Sequence, residues 1–398
     1  MRRLRRLFLN RLFLTLGLLL GVMQVVVGHW VIVVLAGRPG PGWALGLVLA
    51  ALLVSANGLL IPVLRRARSR GGLPRTVARA YAAAGVATLI LGTTVLLSWI
   101  GLFPLASLLA LAGLSGEAVF AVFRVASIAV VLTLAAMLLW GFTVGQLRVV
   151  HSHVRVPLAD LPSELRGLRI VEISDLHIGN AMEGERIDRL VDRVNAMEPD
   201  LLAVTGVIFD FDPRHVEDGA RRLGGLRARL GAYAVLGNHD TYTGTELVAE
   251  ALGELAPELR LLRGEIARVP TEAPLYVAGV DDPGRDWNSP ECNLPELEVL
   301  GGEQPEDGPV VLLVHRPQAF PQAARLGFPL VLAGHTHGGQ LALPTPSGRH
   351  NLARIITSFD RGLFRVNGSV LYVNRGIGVG GPSIRLNCPR EIATIELA

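Results

Sequence analysis

The chain has 398 residues, 50% of them hydrophobic and 18% charged, and its mean hydropathy of +0.43 excludes an ordinary soluble protein and implies a membrane part. Its formal charge of +4 and pI near 9.6 average two unlike regions: residues 1–150 hold 14 Arg and one acid, Glu117, for +13, and residues 151–398 hold 24 Arg against 33 acids, for −9. The acidic second region argues against nucleic acid as a partner, because affinity for a phosphate backbone needs a basic face.

Four apolar stretches, 12–36, 43–64, 80–100 and 119–141, each approach the ~20 residues of a spanning helix. They predict a transmembrane α-helical bundle over residues 1–146 and a second domain over 147–398. The first stretch follows a basic start, Met1-Arg2-Arg3-Leu4-Arg5-Arg6, as a signal peptide would. Its apolar run exceeds the roughly 7 to 15 residues of a signal core and no small-residue cleavage site follows it, so it is read as an anchor. Arg2, Arg3, Arg5, Arg6 and Arg11 precede this stretch, and Arg65, Arg66, Arg68, Arg70, Arg75 and Arg79 separate the second from the third; the opposite side carries Arg38 and Arg124. Positive loops stay in the cytoplasm. Four crossings therefore predict a multi-pass cell-membrane protein with a cytoplasmic second domain, whereas a fifth crossing in the apolar segment 101–116 would move that domain outside. The polar residues of the spans, Gln24, His29, Asn57 and Arg124, have no paired acid, and interhelical hydrogen bonding is expected of them rather than a transport pathway.

From Gln146 onward short β-type runs alternate with amphipathic helices. Leu168–Ser174 reads as a strand, and Gly184–Met197 as a helix whose apolar face is Ile187, Leu190, Val191, Val194 and Met197. A strand at Leu201–Thr205, a helix at Val216–Leu230 and a strand at Ala232–Leu236 follow, then Leu275–Val280, Val310–Val314, Leu330–Ala333 and β-rich sequence from Ile355 to Leu397. This is an α/β domain, and some 250 residues suffice for a proper core. The two cysteines, Cys292 and Cys388, are too few for a disulfide framework and match no metal spacing.

The chemistry stands directly after the strands: Ser174-Asp175-Leu176-His177, Gly206-Val207-Ile208-Phe209-Asp210, Gly237-Asn238-His239-Asp240, His315-Arg316-Pro317 and Gly334-His335-Thr336-His337-Gly338-Gly339-Gln340. Side chains at the carboxyl ends of neighbouring strands converge on one crevice. Any one of these pieces is commonplace, a single strand-end His being more often a satisfied hydrogen-bonding residue than a ligand; five together make a coincidence untenable. Imidazole and carboxylate suit Mn²⁺, Fe or Zn²⁺. Two such ions can share a hydroxide, lower its pKa and clamp the oxygens of a phosphoester, so these residues point to phosphoester hydrolysis.

These segments, with Gly279-Val280-Asp281-Asp282-Pro283 and Tyr372-Val373-Asn374-Arg375-Gly376, resemble the calcineurin-like metallophosphoesterases, in particular their membrane-associated bacterial branch. The resemblance implies a two-sheet β-sandwich flanked by helices, with two metals at the strand ends. It implies Asp175, His177 and His337 as ligands of one metal and Asn238, His315 and His335 as ligands of the other. His239 corresponds to the residue that contacts phosphate and protonates the leaving oxygen, with Asp240 placed either to orient its ring or to cap the following helix. The family has Gly-Asp-x-x-Asp where this chain has Gly206-Val207-Ile208-Phe209-Asp210; the metal-bridging Asp is replaced by Val207, while Asp210 corresponds to the second Asp. With Asp175 as the one remaining anionic ligand, repulsion between two dications weakens at least one site. The expected function is a membrane-anchored hydrolase of a phosphodiester, phosphomonoester or pyrophosphate, on a phosphorylated small molecule or lipid, with activity and metal occupancy reduced by Val207. The alternative is a catalytically silent membrane protein whose domain binds a phosphorylated ligand or a protein partner.

Overall fold

The computed structural model describes residues 2–398 except 38–39, 41, 69–71, 181, 287 and 346–349; Arg38 and Arg70 thus lie outside the described residues. The chain divides into two compact units, Met1–Phe142 and Thr143–Ala398.

The first unit comprises α1 (Arg2–Trp30), which continues into a π-helical turn at Val31–Leu35, α2 (Trp43–Arg68), α3 (Gly72–Leu111) and α4 (Gly116–Phe142). Among the described residues four helices are long and apolar enough to cross a membrane, with apolar segments Thr15–Leu35, Ala44–Ile61, Thr76–Leu111 and Gly116–Leu147. Residues 101–111 form no separate crossing; they extend α3, which has 40 residues and runs through Pro104, for a length of roughly 60 Å.

The polar side chains of the spans pair with one another, because lipid offers them no other partner. Asn57 Nδ2 donates to Gln24 Oε1 at 2.9 Å, Tyr81 donates to Asn57, and Trp30 Nε1 donates to Ser127 Oγ at 2.7 Å. Arg124 donates to the Leu35 carbonyl at 3.0 Å, at the end of the π-turn, and the His29 ring sits edge-on to Trp99.

In the second unit two six-stranded sheets face each other. The first is ordered β1 (Val149–Val156), β12 (Arg390–Leu397), β2 (Arg169–Ile173), β3 (Leu201–Thr205), β4 (Gly231–Val235), β5 (Leu259–Leu261); the second is β10 (Gly362–Val366), β11 (Ser369–Val373), β9 (Leu330–Ala333), β8 (Val310–Leu313), β7 (Tyr276–Gly279), β6 (Glu265–Arg268). Alternate residues of each central strand face opposite ways, so each sheet serves two cores. Ile170, Leu201, Ala203 and Val235 meet Val277, Leu313, Leu330 and Leu332 between the sheets. The outer face of the first sheet, with Val171, Ile173, Leu202 and Val204, is covered by α5 (Glu185–Asn195), α6 (Val216–Leu223) and α7 (Asn238–Leu255). That of the second sheet is covered by α8 (Pro295–Gly302) and α9 (Phe320–Arg325). Each Leu, Ile or Val sealed in these layers contributes about 1.5–3 kcal/mol.

Local rules explain the helices. In α5, Ile187, Leu190, Val191 and Val194 recur at helical spacing and are the buried face, and Glu185 and Asp188 occupy the first turn, where a negative charge complements the helix dipole. Helix α6 ends at Leu223, earlier than the Leu230 expected from periodicity. A Cβ on Gly224 would lie 2.4 Å from the Leu255 carbonyl oxygen, so the chain turns at this glycine under the end of α7. Strands β2, β3 and β4 are mutually parallel, as are β7, β8 and β9; their carboxyl ends therefore lie along one edge of each sheet, and the site forms there.

Candidate metal centre

Five strand-end turns build the centre, and backbone hydrogen bonds lace two of them together: Asp175 N–H donates to Gly206 O, His177 N–H to Val207 O and Asp210 N–H to Ile178 O, at 2.9–3.2 Å. The β9 turn approaches closely because residue 334 is Gly: a Cβ there would sit 1.8 Å from Ser174 Oγ and 2.5 Å from Asp175 Oδ2. This proximity lets His335 N–H donate to Asp175 Oδ2 at 2.9 Å, which also accepts from Ser174 Oγ at 2.8 Å. Asp175, His177, His335 and His337 all have positive φ, between 51° and 69°, the left-handed region that few non-glycine residues enter. Local backbone cost of this kind concentrates at functional sites.

The structure brings together all six residues that the resemblance marks as ligands, in two groups. In the first, His177 Nε2 and His337 Nε2 are 3.0 Å apart and Asp175 Oδ1 is 3.5 Å from His337 Nε2; the three residues offer ligand atoms within 4.8 Å of one another. In the second, His315 Nε2 lies 3.1 Å from Asn238 Oδ1 and 3.2 Å from His335 Nδ1. Asp175 Oδ1 is 4.0 Å from His315 Nε2, so this carboxylate stands between the groups. His315 Nδ1 is held at 2.8 Å by the Thr205 carbonyl, a bond that fixes the ring and directs Nε2 inward.

The donor set fits divalent cations. Burial lowers the pKa of His177 and drives those of His315 and His337 well below the ordinary value, so the rings are neutral and offer lone pairs. Burial also pushes Asp175 up to about 7, against the pull of its hydrogen bonds from Ser174 and His335. A cation beside that carboxylate favours its charged form.

Of the two roles open to Asp240, the structure shows the backbone cap, and it is Asp210 that meets the His239 ring. His239 Nδ1 is 2.6 Å from Asp210 Oδ1, not from Asp240, and the same oxygen is 3.3 Å from His177 Nδ1. Burial pulls Asp210 upward, but the two imidazoles together outweigh it and hold the carboxylate below its usual range. Asp240 instead accepts backbone N–H bonds from Ile208, Phe209 and Gly237 at 2.8–3.1 Å. It buckles the β3 turn to the first turn of α7, where it takes the backbone N–H of Gly237, the residue before the helix. The physical reason is that residue 240 lies in the first helical turn, where its carboxylate meets unsatisfied backbone donors. Asp210→Asn is therefore expected to lower kcat by about 100-fold with unchanged thermal stability. Asp240→Ala, which strands buried N–H groups, is expected to lower stability by about 3 kcal/mol; denaturant titration beside steady-state kinetics distinguishes the two.

Sequence reading missed Arg385. Its fully buried guanidinium donates through Nη2 to the carbonyls of Arg375, Gly376 and Gly378 at 2.6–3.1 Å and lies 3.3 Å from His337 Nδ1. It gathers the loop after β11 beneath the first ligand group; in the same loop, Ile377 N–H donates to Ser174 O and Gly378 N–H to Asp175 O.

Val207 is 1% exposed, yet among the described residues it joins none of the three apolar cores of this unit. Its φ is 50°, a genuine outlier for a β-branched residue.

A two-sheet sandwich whose parallel strand ends deliver four histidines, an asparagine and a carboxylate into one crevice defines an α/β protein with a candidate dinuclear metal centre. The sequence model of the calcineurin-like phosphoesterase family matches residues 168–339. A metallophosphoesterase of Aquifex aeolicus (strain VF5), named as uncharacterized, is 34% identical over 232 residues, covering 58% of this chain and 85% of its own length. A "transmembrane protein with metallophosphoesterase domain" of Danio rerio is 36% identical over 253 residues, covering 61% of this chain and 56% of its own length. The chain thus spans little more than half of that relative. The UDP-2,3-diacylglucosamine pyrophosphatase LpxG of Chlamydia muridarum is 26% identical over 284 residues, covering 59% of this chain and 84% of its own length. The chain belongs to the calcineurin-like phosphoesterase family.

Proposed function

We propose that the protein is a membrane-anchored, metal-dependent phosphoester hydrolase. The observation that carries this reading is the convergence of the six ligand-type residues beside an imidazole, His239, held by a carboxylate. Asp175, His177 and His337 would hold one divalent cation, and Asn238, His315 and His335 a second. Bound there, the cations supply Lewis-acid activation of water and neutralise charge on the phosphoryl oxygens. Asp210, ionised against His177 and His239, fixes the His239 ring through Nδ1 and stabilises positive charge on it. Nε2 is then the nitrogen that presents a proton to the leaving oxygen. Val207 in place of an acid leaves Asp175 as the only anion among these ligands, which weakens binding of the second cation and slows hydrolysis.

The substrate class we favour is a lipid-linked phosphoester or pyrophosphate. It rests on the apolar helices and on the name of the Chlamydia relative, which acts at a diacyl sugar nucleotide. The arginines around the first and between the second and third spans support a cytoplasmic second unit, and a reporter fused to the C-terminus tests this directly. Val207 also favours a second reading, a domain that binds a phosphorylated ligand or partner without turnover.

The deciding experiment uses the full chain in detergent micelles with Mn²⁺, assayed on an aryl phosphodiester and on the corresponding monoester. The hydrolase reading expects turnover of at least one substrate, abolished by a chelator and restored by Mn²⁺. Bound metal with no turnover of either substrate supports the silent binding domain; no bound metal and no turnover overturns the hydrolase reading.

A further inference from the structure

Phe211 is the one exposed phenylalanine among the described residues of the second unit, at 55% exposure. It stands beside the imidazole assigned to the leaving oxygen: the Phe211 and His239 ring centroids are 4.4 Å apart. Tyr242, one turn further along α7, lies parallel to Phe211, with centroids 5.5 Å apart and planes within 10°, and is 5.5 Å from His239.

Burial does not explain this arrangement, since a half-exposed ring gains little from packing. The backbone opposes it: Phe211 has φ 53°, a left-handed conformation that a bulky residue avoids. The flanking residues impose it. Asp210 is held by His239 and His177, Asp212 N–H donates to Asp210 O at 2.6 Å, and the Asp212 carboxylate is anchored by Arg214 and by the Pro213–His215 turn that it caps. Phe211 is thus fixed before any ligand arrives, in a strained conformation that presents an aromatic face beside the reacting groups. Strain of this kind, held by its surroundings and unrewarded by burial, marks a ligand contact.

We propose that Phe211 and Tyr242 form a stacking platform for a flat aromatic group, of the aryl or nucleobase type, on the leaving-group side of the phosphoester, which makes Phe211 a specificity-determining residue. This rests on the phosphoester reading above and deepens it. Every aromatic ring or base has a π face that such a platform accepts, and stacking of this kind strengthens binding by about tenfold.

The test is calorimetric binding to the Mn²⁺-loaded full chain, with two matched pairs of probes. Phenylphosphonate against methylphosphonate places the ring directly on phosphorus; uridine 5′-phosphate against ribose 5-phosphate places a base one sugar away. The platform predicts that wild type prefers the aromatic member of at least one pair about tenfold, that Phe211→Ala removes this preference while binding the other member unchanged, and that Phe211→Trp retains it. The pair that shows the preference identifies the source of the flat group. Equal binding of both members in both pairs, a preference that survives in Phe211→Ala, or, where the phenyl pair alone carries the preference, cyclohexylphosphonate binding as tightly as phenylphosphonate overturns the platform and leaves the phosphoester reading intact. Failure of wild type to bind any of these probes overturns the platform, and overturns the phosphoester reading as well where the same preparation binds no metal and hydrolyses neither the aryl diester nor the monoester.

Discussion

Val207→Asp is expected to raise metal-dependent phosphoester hydrolysis by about 100-fold and to increase the metal bound per chain. Two effects act at this position with opposite signs. Val207 sits at φ 50°, which costs a β-branched residue about 1–3 kcal/mol, whereas Asp enters the left-handed region far more readily. The substitution therefore relieves backbone cost. It also buries a carboxylate at a position that is 1% exposed, and an unpaired buried charge costs several kcal/mol. The second effect is the larger in the metal-free protein, so Val207→Asp melts lower than wild type in chelator. With Mn²⁺ present the order reverses, because the new carboxylate is paired with cations and the strain relief remains. The immediate surroundings are tight: a Cβ on Gly237 would meet Val207 Cγ2 at 2.5 Å, and Asp carries one γ atom where Val carries two, which eases the crowding against that turn while its oxygens reach one bond further. Equal rates and equal metal content in wild type and variant would show that Val207 does not limit the site.

The site was legible in the sequence wherever one strand and its own turn carry the signal. An apolar run followed by Asp-x-His, Gly-Asn-His-Asp or Gly-His-Thr-His names both the strand and the residues at its end, and β2, β3, β4, β8 and β9 each end directly before one of the five strand-end segments. The apolar spans were equally plain, because length and composition alone define them. Pairings across long separations left no such trace. Strand β1 runs parallel to β12 with Val149 opposite Arg390, and nothing in His151-Ser152-His153 distinguishes an edge strand from a linker to the last span.

The two aspartates show a subtler limit. Asp240 adjoins His239 in sequence, but residues adjacent on a helix point in different directions, and its carboxylate turns back to the backbone donors of the β3 turn. Asp210 comes from another strand and reaches the ring across space. Arg385 is one of 38 basic residues, all arginine, and becomes distinctive only when the fold buries it under the loop at 375–378. Positive φ at Val207 and Phe211 was likewise invisible, since neither residue type signals it.

Asp175→Asn is the sharpest test of the centre itself. An amide oxygen still accepts the Ser174 hydroxyl and the His335 N–H that Asp175 Oδ2 accepts at 2.8 and 2.9 Å, so the turn keeps its shape while the only anion among the ligands is lost. Hydrolysis is expected to fall by about 1000-fold, equivalent to about 4 kcal/mol of transition-state stabilisation, and bound metal to fall below one ion per chain. Stability in the absence of metal should move the other way. Burial raises Asp175 from 3.8 to about 7 in the folded protein, so between those values the folded state holds a proton that the unfolded state has released. Metal-free wild type therefore loses stability as pH rises from about 4 to about 7, by on the order of 4 kcal/mol, and recovers none of it above that window. Asparagine has no charge to bury. Metal-free Asp175→Asn should thus match wild type near pH 4 and exceed it near pH 8, while added Mn²⁺ stabilises wild type and leaves the variant unmoved. Urea titrations at the two pH values, with and without Mn²⁺, separate a carboxylate that serves cations from one that serves the fold: a variant less stable than metal-free wild type at pH 8 would assign Asp175 to the architecture of the turn instead.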